Sequence, residues 1–186
     1  MPEALSDSRP LTPAPAADMP TMPAETALAE LGLDPFEVAL LPQLRHFTTC
    51  LREPQSQAWQ HACCSAAERW GESFGLGVAH ALFKVVRCLH DLRGELYQGH
   101  DALTLSTRAS VTADEAACLR MLHHMRRDNT PAARDAVADL TGGWMDPHVI
   151  RAALSFAHRF PAGKTDPAPR SQPATESARP RLRIVR

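Results

Sequence analysis

The chain has 186 residues, 44% of them hydrophobic, and a formal charge of −1 at pH 7. That length and apolar share suit one domain with tails around an ordinary core, and the near-neutral charge excludes a globally basic, nucleic-acid-type footprint. No apolar run reaches the roughly 18–20 residues that a membrane-spanning helix needs, and acidic Glu3 and Asp7 stand where a secretory leader would be basic, so the chain reads as cytoplasmic.

Residues 1–27 carry prolines at 2, 10, 13, 15, 20 and 23 and few large apolar groups, which predicts an acidic, disordered tail. An ordered body is expected over 28–160. Its first start signal is Asp34-Pro35-Phe36-Glu37: an N-cap aspartate, a proline at the first helical position, and a glutamate able to close a capping box. Pro42 either kinks this helix or restarts it, with Leu44, Phe47 and Leu51 on one face. A second helix is expected over 55–71, placing Trp59, Ala62, Cys63, Ala66 and Trp70 inward.

The third, over 74–92, has the clearest periodicity: Val78, Leu82, Val85, Leu89 and Leu92 alternate steps of four and three. His80, Lys84, Arg87 and Asp91 form its solvent strip. A connector over 95–111 follows, in which Leu103-Thr104-Leu105 suggests a short extended piece. Thr112-Ala113-Asp114-Glu115 is a second capping box, opening a helix with Cys118, Met121, Leu122 and Met125 as its stripe. Asn129-Thr130-Pro131 starts a short helix with Ala133, Ala136, Val137 and Leu140 inward, stopped by Gly142-Gly143. Asp146-Pro147 starts the last, with Ile150, Ala153, Leu154 and Ala157 facing the core. Residues 161–186 return to proline-rich sequence, now basic, and predict a second disordered tail that ends in alternating basic and apolar residues. The fold class is therefore all-α: a compact bundle of about five to six helices between two tails.

Several constellations bear on function. His46 and Cys50 are four apart, and His61 and Cys64 three apart, so each pair shares a helical face as zinc ligands would. The alternative is scattered surface histidines with reduced, largely buried cysteines, which suits an odd count of five. Arg120, His123, His124 and Arg127 form a basic ridge able to hold an acidic partner, although cations near a helix C-terminus also simply complement its dipole. In the helices after Thr112, a helix-turn-helix DNA reader would present His148, Arg151, Ser155 and His158, while Arg134 is offset by Asp135 and Asp139. Phe74-Gly75-Leu76-Gly77 lacks the remainder of a phosphate loop and reads as a tight helix contact. Glu68 and Glu72, four apart, need no catalytic explanation. The composition, with lysine only at Lys84 and Lys164, abundant alanine and 16 prolines, suggests a GC-rich bacterial genome. The expectation is a non-enzymatic regulatory or adaptor protein with a protein partner. The alternatives are a helical metal- or ligand-binding protein and a DNA-binding regulator, and self-association remains open.

Overall fold

The computed structural model describes residues 25–163, and over them the chain is all-α. After a single turn α1 (Pro35–Val38) come α2 (Leu41–Arg52), α3 (Ala58–Trp70), α4 (Glu72–Arg93), α5 (Ala113–Arg126), α6 (Thr130–Thr141) and α7 (Pro147–Arg159). The two proline-rich tails lie outside the described residues except at their inner ends. There, Thr26–Ala27 (β1) pairs antiparallel with Ser110–Val111 (β2). The extended piece of the connector is thus at 110–111. Leu103 and Leu105 are solvent-exposed, and Leu105–Thr107 is a 3-10 turn.

Local chemistry accounts for the helix starts. Asp34 Oδ1 accepts the Glu37 N–H at 2.8 Å, and the Glu37 carboxylate accepts the Asp34 N–H at 3.0 Å. Pro42 then restarts the chain as α2, because it has no N–H with which to continue the α1 ladder. The second box closes the same way between Thr112 and Glu115, both bonds at 3.1 Å. Asp146 caps α7 through the His148 and Val149 N–H groups. Asn129 stands at the N-cap of α6, but its side chain makes no capping bond.

Two groups of three helices share the core: α2, α3 and α4 all pack on one another, α5 packs on both α6 and α7, and α4 meets α7 between the groups. The α3–α4 hairpin turns at Gly71, whose φ of 82° and ψ of 154° suit glycine. A Cβ on Gly75 would lie 2.1 Å from the Ala66 carbonyl oxygen, so only glycine lets α4 approach α3 this closely. Phe74–Gly77 therefore lies inside a helix as a packing surface.

Three inward faces differ from expectation. Trp59 is 50% exposed, although Ala62 and Ala66 on its helix are fully buried; the Gly75 contact seats the small residues, and the bulky indole is left at the edge. Leu92 is 41% exposed, since a straight helix drifts about 20° per heptad from a strict seven-residue repeat. In α7, Leu154 is exposed and Ile150 only half-buried, whereas Val149, Ala153, Phe156 and Phe160 are buried. The two phenylalanines rotate the helix by joining Phe36 and Phe74: ring centroids are 5.4 Å apart for Phe74–Phe160 and 5.0 Å for Phe156–Phe160.

Candidate functional site

Two of the four residues of the basic ridge are committed inside the molecule. Arg127 bonds Asp34 at 2.9 Å and also reaches Glu37, and His123 Nδ1 lies 2.8 Å from a Glu37 carboxylate oxygen. Between them Arg126, fully buried, bonds Asp34 at 2.9 Å, Glu37, and the Phe160 carbonyl at 2.7 Å, with its guanidinium 4.6 Å over the Phe36 ring. Burial pushes the Asp34 carboxyl up, but the Glu37 N–H and the two arginines outweigh it and hold it below its ordinary value. His124 is shifted down by burial and by neighbouring His123 and Arg127, which favours its neutral form. Of the four ridge residues, Arg120 and Arg127 are exposed; His123 and Arg127 belong to this network, whereas Arg120 and His124 make no hydrogen bond or ion pair to Asp34 or Glu37.

Glu115 holds a matching position at the other end of α5. Its oxygens accept Arg45 Nε at 2.8 Å and Nη2 at 3.0 Å, as well as the His100 N–H at 3.0 Å. Arg45 also donates to the Thr107 and Ser110 carbonyls. Both carboxylates that close capping boxes are completely buried, and each is met by an arginine from another helix. The motif signals the box but not these partners. The one sequence trace of Arg45 and Arg126 is their placement directly after the core residues Leu44 and Met125.

The four candidate metal ligands separate. His46 and His61 stack across α2 and α3 with ring centroids 5.6 Å apart. They line a polar cleft of about 520 Å³ together with Arg52, Ser56, His100 and Asp101. Cys50 faces the other side of α3, and Cys64 is exposed. Among the described residues no group of three or more His, Cys, Asp or Glu is arranged to hold a metal. Burial, and then His61, pushes His46 down, with Asp101 opposing. Ser56 Oγ and His100 Nε2 are buried without hydrogen bonds; Glu25 is 3.5 Å from the latter, an ion-pair separation only. The cysteines are all free and only Cys118 is fully buried, so "largely buried" overstates the set. Burial pushes the Cys118 thiol up to about 12, which leaves it inert as a nucleophile.

Opposite the polar cleft, Phe47 and Cys50 of α2, Trp59 and Cys63 of α3, and Leu76, His80 and Phe83 of α4 line an apolar groove of about 440 Å³. Phe47 and Phe83 form its floor with centroids 5.2 Å apart. Trp59 and Leu76, 50% and 46% exposed, stand at its edge. On α4, Glu72, Leu76, His80 and Lys84 follow at steps of four and are all exposed; Leu76 and His80 line the groove, with an acid before them and a base after them. Glu68 of α3 is likewise exposed. On α7, His148, Arg151, Ser155 and His158 are all at the surface as expected, and Arg134 shares the surface of α6 with Asp135 and Asp139. No protein-family model, curated protein or solved structure matches the chain.

Proposed function

We propose that the protein is a non-enzymatic adaptor that receives an amphipathic helix of a protein partner in the α2–α3–α4 groove. The carrying observation is Trp59, half exposed at the edge of a groove lined almost entirely by carbon. Covering the exposed half of an indole removes on the order of 100 Å² from water, about 3 kcal/mol, the size of a binding hot spot. The exposed α4 ridge adds direction, because an occupant long enough to pass beyond the groove along α4 meets Glu72 at one end and Lys84 at the other. The ridge around Arg120 contributes less than its sequence suggests, because His123 and Arg127 already bond Glu37 and Asp34.

A photo-reactive residue at position 76, introduced in cells that naturally express the protein, should form covalent adducts with a polypeptide through this groove. The same residue at position 105, on an exposed turn outside the groove lining, should form none. Absence of any adduct from position 76 would overturn the docking reading.

A second reading, a small polar ligand held in the α2–α3 cleft, is favoured by the two buried polar atoms there without hydrogen bonds, Ser56 Oγ and His100 Nε2, the latter only 3.5 Å from Glu25. Calorimetric titration with zinc and with a panel of small polar metabolites tests it. Heat that is abolished by His61→Ala supports the cleft, and heat indifferent to that change removes it.

A further inference from the structure

We propose that the helix received by the groove is α4 of a second copy of this chain, packed antiparallel across a two-fold axis. The inference rests on the docking-groove reading and names the occupant. A two-fold contact uses one patch on both partners, so that patch must be complementary to itself. The exposed ridge Glu72, Leu76, His80, Lys84 winds about 120° around α4 and meets this condition for a partner helix crossing obliquely along it. Turned end for end about the level of Val78, it sets Glu72 against the second copy's lysine and Lys84 against its glutamate, while each leucine faces a histidine. The two charges are about 18 Å apart along the helix, which separates the two cross-pairs cleanly and fixes a single register.

The charges are available for this role. Arg87, the next base along α4, is already paired with Asp91 at 2.9 Å. Lys84 and Glu72 form no ion pair with any described residue. The inward stripe Val78, Leu82, Val85, Leu89 is fully used inside the bundle, so the outer strip is a separate surface. Beside it stands Trp59, and the symmetry covers that indole twice, once in each copy.

Sedimentation equilibrium of the full chain tests the proposal, and all substitutions lie at exposed positions where circular dichroism can verify the fold. Wild type should be dimeric at about 100 µM, with a dissociation constant below that concentration. Glu72→Lys alone and Lys84→Glu alone each convert two attractive cross-pairs into two repulsive ones, and each should weaken the dimer about tenfold or more at low salt. An equimolar mixture of these two variants should recover dimer, now a heterodimer with both cross-pairs attractive. Leu76→Asp should be monomeric. A monomeric wild type overturns the proposal, as does a dimer indifferent to all three substitutions. Single variants that dissociate without recovery on mixing overturn the antiparallel register. A monomeric wild type whose position 76 still cross-links to a different protein would remove self-association while leaving the docking groove in place. No dimer and no adduct would remove both.

Discussion

The two ends of α5 use one device in two ways. At its start, Glu115 closes the Thr112 box and is sealed against Arg45, with side-chain exposures of 0% and 4%. At its finish, Arg126 meets the box glutamate of α1, and that network reaches solvent through Asp34 and Arg127, 25% and 32% exposed. The first end is a dry, bidentate pair with its carboxylate oxygens further bonded to backbone N–H groups. The second is a shared cluster of two arginines, one histidine and two acids. A capping box therefore fixes where a helix begins, while the surroundings decide whether its glutamate acts as a lock or as a hub.

The sharpest way to break this contrast is to remove one partner at the sealed end. Arg45→Met leaves Glu115 buried without its counter-charge and should cost about 3–5 kcal/mol in urea denaturation. Glu37→Gln at the open end should cost less, about 2 kcal/mol, because Asp34 still serves both arginines. An equal or larger loss for Glu37→Gln would erase the distinction. Smaller again, Arg127→Ala should lower stability by roughly 0.5 kcal/mol and lose that effect in high salt, since the pair is partly solvated.

The open end should also respond to acid. The Asp34 carboxyl sits below its ordinary value of 3.8 in the folded chain. Its contribution is therefore present above that pH and lost as pH falls below it through the folded value. The stability gap between wild type and Asp34→Asn should shrink across that acidic window. Finally, His124 should titrate below its ordinary 6.5 by nuclear magnetic resonance, because burial and its cationic neighbours oppose its charge. A normal or raised titration point would contradict the network around it.

How much of this was legible follows from sequence distance. Both capping boxes could be read, since four adjacent residues contain all their chemistry. Their arginines could not, because Arg45 lies 70 residues from Glu115 and Arg126 lies 89 from Glu37. The α4 stripe was readable through Leu89 from period alone, but Trp59 and Leu154 were misplaced, because hydrophobicity says nothing about which bulky group a crowded contact expels. The candidate metal set failed in a related way. Helical spacing puts His46 with Cys50 and His61 with Cys64, whereas the packing of α2 on α3 joins the two histidines and leaves both thiols elsewhere. The apolar groove gave no sequence signal, since its lining comes from three helices.

The missing side chain at Gly75 has a consequence for that groove. Its bare α-carbon sets the spacing of two of the three walls, so the depth available to an incoming helix depends on a single absent methyl. Gly75→Ala would wedge the hairpin apart against backbone that cannot yield, and would remodel the recess without altering any residue that lines it.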